Sequence, residues 1–344
     1  MSTSTKPATR ASRPATSGSR MEDVARLAGV SMITVSRVLN TPDKVAPATR
    51  RKIEAAIRKT GYMPNLTAGS LASSKSRIIA AIVPTIDNSI FAETVRGLSE
   101  TLAAGGYQLL LGQTGYDEAA EESLVAAFLG RRADGIVLTG ARHSRLTVRR
   151  LKGAGIPVVE TWDLSVAPID MVAGFSNIGA GCAMAQHLLS KGYRRFGLAG
   201  GDDDRTHARR DGFAAALKGT RGASLVTNLI TSGRSYSGGR EALTQLLKQD
   251  AKLDAVFFSN DALAVGALME CRRRGLQVPG DIAIAGFADL DIAAEIEPAL
   301  TTVRVRSRHI GEEAARMLLL RLSGQAVNVP VRDVGFTIVE RASA

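Results

Sequence analysis

Arg205 and Arg209, in DDDRTHARRDGF (202–213), are the side chains whose type and spacing point most directly to chemistry. Four residues apart on a helix puts both guanidinium groups on one face, and Asp203 or Asp204 in front can cap that helix. Guanidinium forks beside unsatisfied helix amides attract anions, so the expected chemistry is recognition of negative charge. Bond-making machinery is not found in the sequence. It has no G-x-S-x-G elbow, no GxxxxGK phosphate loop and no paired His for a metal. Cys182 and Cys271 lie far apart and read as reduced thiols, and His143, His187, His207 and His309 are scattered, so no metal, cofactor or catalytic residue is expected.

A second stretch has the residue types for reading base edges. In RMEDVARLAGVSMITVSRVLN (20–40), Val24, Ala25, Leu27 and Ala28 give a first helix an apolar face, and Gly29 allows a tight turn. Ser31 is the N-cap of a second helix, in which Val35 and Val38, with Val30 before it, face the first. Met32, Ile33, Thr34, Ser36 and Arg37 are left for the outer side and the N-terminal end, where a helix-turn-helix enters a major groove. Pro47 opens a third helix with Ile53, Ala56 and Ile57 inward and Arg50, Arg51, Lys52, Arg58 and Lys59 outward, and Gly61 stops it.

Charge supports that division. Residues 1–75 hold 13 Lys and Arg against 4 Asp and Glu, whereas the remaining 269 residues hold 31 against 29, so the net +11 is almost all N-terminal. This is the footprint of a small nucleic-acid-binding head on a near-neutral body. The first 19 residues, rich in Ser, Thr, Ala, Pro and Arg, read as a disordered basic arm without the apolar core of a secretory signal. No run of 18 apolar residues occurs, so no membrane partner is expected and the chain is placed in the cytoplasm.

Beyond residue 77 the pattern becomes α/β. Apolar runs at 78–83, 107–111, 135–138, 157–159, 196–200, 255–258 and 282–287 read as buried strands. Amphipathic helices are expected between them, at 89–105, 118–130, 144–154, 178–191, 206–218, 237–249 and 261–274. Such alternation implies parallel sheets covered on both faces, with ligands at the strands' carboxyl ends.

The motif DVA-x-x-AGVS-x-x-TVSRVLN, followed by V-x-x-x-TR-x-x-I-x-x-A-x-x-x-x-GY-x-PN, resembles the head of the lactose and galactose repressor family. The resemblance covers about sixty residues closely, and the rest of the chain is similar to the family's core. It implies a head at 20–63, a hinge helix and linker at 64–76, and a two-lobed body, resembling periplasmic binding proteins, at 77–341. The first lobe is expected at 77–173 plus 304–326 and the second at 174–303 plus 327–341. DNA contacts are implied for Ser31, Met32, Ile33, Thr34, Ser36, Arg37, Asn40, Thr49, Arg50, Tyr62, Asn65, Ala68 and Leu71. Leu71 matches the leucine that wedges into the minor groove, and a wedge of that kind kinks the duplex by roughly 20 to 90°. Gly69 and Ser70 beside it are poor helix formers, so this segment is expected to be unstable alone.

For the effector, the resemblance implies Phe91, Arg205, Arg209, Asn260 and Asp289. Arg209 matches the arginine that holds effector hydroxyls or carboxylates, and Asn260 of SNDALAVG matches a residue that turns its amide to a ligand, leaving Asp261 to cap. Two departures stand out. Ala288 follows AGF where most relatives carry a sugar-binding Asp, and Arg234 stands where an aromatic often stacks. Together they favour a sugar acid over a neutral sugar, and the body looks like the family's gluconate-responsive branch. The expected function is repression of sugar-acid catabolism genes by a homodimer on a palindromic double-stranded DNA operator, released by the effector. A neutral sugar or nucleobase, acting as corepressor, is the alternative; a sugar-metabolising enzyme or an exported transport protein fits less well.

Overall fold

The computed structural model describes residues 19–63, 75–86, 89–165, 167–230 and 235–344. The chain divides into two compact units at Lys75 and Ser76. The hinge segment 64–74, including Asn65, Ala68 and Leu71, the basic arm up to residue 18, and Arg234 all lie outside the described residues.

The first unit holds three helices, α1 (Met21–Ala28), α2 (Met32–Asn40) and α3 (Pro47–Thr60). The backbone of Arg20 donates to Asp23 at 2.9 Å where α1 begins, and Gly29, at φ 65°, ends it in the left-handed conformation. Ser31 Oγ accepts from Thr34 N at 3.3 Å as the cap of α2, and Pro47 starts α3. Val24, Ala25, Val35, Val38, Ile53 and Ala56 form the core, with Val30, Ile57 and Tyr62 packed at its margin. One expectation fails here. Leu27 is 47% exposed, because α1 is short and its buried stripe is filled by Val24 and Ala25.

The second unit contains two six-stranded sheets. The first lobe contains β1 (Ile78–Val83), α4 (Ala92–Ala104), β2 (Gln108–Gln113), α5 (Glu118–Gly130), β3 (Gly135–Thr139), α6 (Arg145–Ala154), β4 (Val158–Thr161) and β5 (Met171–Gly174). The chain then enters the second lobe with α7 (Asn177–Ser190), β6 (Arg195–Gly201), α8 (Asp204–Leu217), β7 (Ser224–Ile230), α9 (Tyr236–Gln249), β8 (Ala255–Phe258), α10 (Asp261–Arg274), β9 (Ala283–Ala288), α11 (Ile292–Glu295) and β10 (Thr301–Val305). It returns to the first lobe for α12 (Ser307–Leu322) and β11 (Val331–Asp333) and ends with β12 (Phe336–Val339) in the second.

Strand order is β11-β5-β4-β3-β1-β2 in the first sheet, all parallel, and β12-β10-β9-β8-β6-β7 in the second, where only β12 is antiparallel. β1 is buried along nearly its whole length, as a central strand with helices on both faces must be.

The lobe boundaries differ from expectation at three places. Gly174 still belongs to β5 and the first sheet, Arg304 and Val305 to β10 and the second, and Val331–Asp333, expected in the second lobe, pairs with β5 in the first. The reason is physical: β11 is three exposed residues, Val-Arg-Asp, with no apolar pattern to assign it to a sheet. The chain crosses between lobes near 175–176, 306 and 334–335, the last crossing turning at Gly335 with φ 68°.

Candidate functional site

In the head, the outer end of α2 is built as the helical period requires. Met32 is 48% and Ile33 70% exposed, Arg37 is exposed one turn after Ile33, and Thr34 and Ser36 are half-buried. Ser31 and Thr34 hydroxyls lie 2.9 Å apart. Thr49 is half-buried near the start of α3, Arg50 pairs with Glu54 at 2.8 Å, and Asn40 is the last residue of α2.

In the body, a cleft of about 570 Å³ opens between the carboxyl ends of the two sheets. The first lobe lines it with Pro84, Tyr116, Glu121, Gly140, His143 and Asp163, and the second with Asp202, Asp203, Asp204, Arg205 and His207. Asp203, at the N-terminus of α8, accepts from Thr206 N at 3.1 Å. Asp202 bonds His207 at 2.8 Å, and Asp204 pairs across the cleft with Arg142 at 2.6 Å. The expected capping of this helix is thus performed by Asp203.

The two arginines behind these caps are treated differently from every other cation nearby. Arg205 is 9% exposed, and its guanidinium lies 5.5 Å from the Phe91 ring and 6.0 Å from that of Tyr116. Arg209 is 4% exposed. Its Nε donates to Asn177 Oδ1 at 2.9 Å, its Nη1 to the Ser259 carbonyl at 2.8 Å, and its guanidinium lies 3.6 Å from the centre of the Phe287 ring. Among the described residues no ion pair joins either arginine to a carboxylate. Burial pushes the Arg209 guanidinium down to about 9; Asp203 pulls it up and Arg205 repels it.

Close helix packing holds Arg209 in this position. A Cβ added at Gly181 of α7 would stand 1.9 Å from the Arg209 carbonyl oxygen, and one at Gly212 of α8 would stand 2.0 Å from that of Ile178. Two helices can approach backbone to backbone only because both positions are glycine. Phe91 is 2% exposed and belongs to an aromatic row that runs edge-to-face through Trp162 (4.9 Å) and Phe175 (6.0 Å) and then, at a tilt, to Phe287 (5.9 Å). Trp162 Nε1 donates to Thr94 Oγ1 at 3.0 Å, so the row is anchored at the start of α4.

Of the expected effector residues, Arg205 lines the cleft and meets the Phe91 ring, whereas Phe91 and Arg209 are buried outside its lining, and two other sequence expectations change. Asn260, not Asp261, caps α10, accepting from Leu263 N at 2.8 Å. Asp261 is fully buried, accepting from Leu290 N at 2.7 Å and from the Thr302 hydroxyl at 2.6 Å. Burial lifts its carboxyl to about 6 against those hydrogen bonds. Asp289 does not line this cleft. It accepts from Arg304 at 2.5 Å and Arg341 at 2.7 Å and faces a second cavity of about 610 Å³. Its carboxylate is committed because the chain turns at Ala288 (φ 112°) and Asp289 (φ 56°), which carries it toward β10.

Sequence reasoning missed a third group. His143 Nδ1 lies 2.9 Å from Glu121 Oε1 and its Nε2 3.6 Å from Glu160 Oε1, all at the first-lobe wall. Burial opposes the imidazolium, but the bond and charge of Glu121 and the charge of Glu160 outweigh it and raise the His143 pKa. Burial also raises that of Glu160.

A three-helix unit with a basic surface and an exposed reading end, together with a two-lobed body around a polar cleft, defines an effector-responsive DNA-binding regulator. The model of bacterial regulatory proteins of the lacI family matches residues 20–65, and that of a periplasmic binding protein-like domain matches residues 185–344. The HTH-type transcriptional regulator GntR of Escherichia coli is 37% identical over 319 residues, covering 92% of this chain and 96% of that protein. GntR of Pseudomonas aeruginosa is 37% identical over 325 residues, 94% of this chain and 95% of that one. The solved structure of a LacI family regulator from Silicibacter pomeroyi superposes with a TM-score of 0.87 at 33% identity, covering 94% and 98% of the two chains.

The chain belongs to the LacI family of transcriptional regulators. It is a DNA-binding regulator and not an enzyme; members of this family bind operator DNA and small-molecule effectors and act as dimers. No helix among the described residues is long and apolar enough to cross a membrane.

Proposed function

We propose that this regulator is a cytoplasmic repressor of sugar-acid catabolism genes, released from a palindromic operator when a gluconate-type acid binds between the lobes. The observation that carries the reading is Arg205, which lines the cleft, together with the buried Arg209, neither with a carboxylate partner among the described residues. A buried cation in that state is costly, and a ligand carboxylate supplies the missing charge. The acidic lining, Glu121, Asp163 and Asp202 to Asp204, supplies acceptors for the hydroxyls of a polyol chain. A carboxylate at the arginines and hydroxyls toward the aspartates therefore give the ligand one orientation. The likeness to proteins named GntR and IdnR supports the same class of effector.

In the head, Met32, Ile33 and Arg37 enter the major groove, Ser31, Thr34, Ser36, Thr49 and Arg50 flank it, and Leu71 wedges the minor groove between two half-sites. The test is thermal-shift screening of sugar acids against their neutral sugars, followed by mobility shifts on a selected operator. A gluconate-type acid should raise the melting temperature of the body and release DNA. Equal or stronger binding of the neutral sugar overturns the reading.

A further inference from the structure

Met32 and Ile33 form an adjacent pair of large apolar side chains on the first turn of α2, 48% and 70% exposed. The surrounding unit is basic: residues 19–63 carry nine Lys and Arg against four Asp and Glu. Two exposed apolar groups on a small, positively charged surface are costly unless a partner covers them, and the charge selects an anionic partner. The Ser31 and Thr34 hydroxyls of the same turn bond one another, and Ser31 Oγ also accepts from Thr34 N. What positions 32 and 33 themselves offer a base edge is hydrocarbon, with Arg37 one turn further along the face of Ile33. Their side chains carry no group that reads a base by hydrogen bonding. The apolar feature that the four bases present in a major groove is the C5-methyl group of thymine.

We propose that Met32 and Ile33 specify the operator by packing against thymine methyl groups, so that part of its sequence is read as shape and hydrocarbon. The inference depends on the major-groove placement of α2 proposed above. Both side chains lie outside the core of Val35 and Val38, so shortening them leaves the head folded.

The experiment selects an operator from randomised duplexes with the full chain, then replaces each thymine in turn by uracil, which removes only the methyl. Uracil at one or two half-site positions should weaken binding about fourfold per methyl, compounding when both half-sites are altered. In Met32→Ala and Ile33→Ala the thymine-to-uracil ratio at the matching position should fall to one, with the melting temperature of the head unchanged. If these variants weaken operator binding while no uracil matters in the wild type, the methyl inference is overturned and the groove placement stands. If neither the variants nor uracil has any effect, the groove placement falls with it.

Discussion

The head and the body put their chemistry on opposite sides of their cores. In the head, six buried apolar residues support a surface on which Met32, Ile33 and Arg37 point outward. In the body, Arg209 and Asp261 are buried, and each is bonded to groups from elements distant in sequence, Asn177 and Ser259 for the arginine and Leu290 and Thr302 for the aspartate. A surface that reads DNA needs only a helix presented correctly. A site that discriminates a small ligand needs desolvated polar groups, which are costly unless paired.

The largest expected effect separates the two regions outright. Ile53→Ala removes one of six core residues of the head and should cost about 2 to 5 kcal/mol of its stability. Operator binding should be lost while calorimetric effector binding persists; loss of both would mean that the units are not independent. Next, Arg209→Ala should weaken sugar-acid binding by at least about a hundredfold, with operator affinity retained. A normal release of DNA by the acid would remove Arg209 from the site.

A smaller effect sharpens the contrast in burial. The Asp261 carboxyl titrates near 6 in the folded chain, above its ordinary 3.8, so folding takes up a proton between those values. Relative to Asp261→Asn, the wild type should therefore gain stability as pH falls from 7 to 5, on the order of 1 kcal/mol, and lose it again as pH rises through 6. Melting curves of both proteins across that range check it; parallel curves would contradict the burial. The smallest effect belongs to the exposed Arg142–Asp204 pair across the cleft. Arg142→Ala should weaken effector binding less than about threefold, and only at low salt.

The same contrast decides what the sequence makes legible. Caps and breakers act within four residues, so Ser31, Gly29, Pro47 and Gly61 mark the head's helices where the structure has them. Long apolar runs likewise mark the central strands. Edge strands such as Ser224–Ile230 and Val331–Asp333 are half-buried or exposed and carry no such run. At the site, Arg205 and Arg209 are visible from their helical spacing. The roles of Asn260 and Asp261 are not, because which neighbour caps and which is buried depends on Leu290 and Thr302, which come from other elements. Asp289 is misleading for the same reason, since Arg304 and Arg341 arrive from β10 and from the chain's last residues. His143 meets Glu121 and Glu160 only once α5, β4 and the start of α6 are packed, and no local spacing announces it.

Because the chain passes between the lobes three times, neither lobe is a continuous segment of sequence. A nonsense codon anywhere before residue 300 would strip β10 and β12 from one sheet and α12 and β11 from the other, crippling both halves at once. Only the N-terminal reader could survive such a break. Truncations within the body should therefore leave orphaned DNA binders at most, with no graded series of half-working receptors among them.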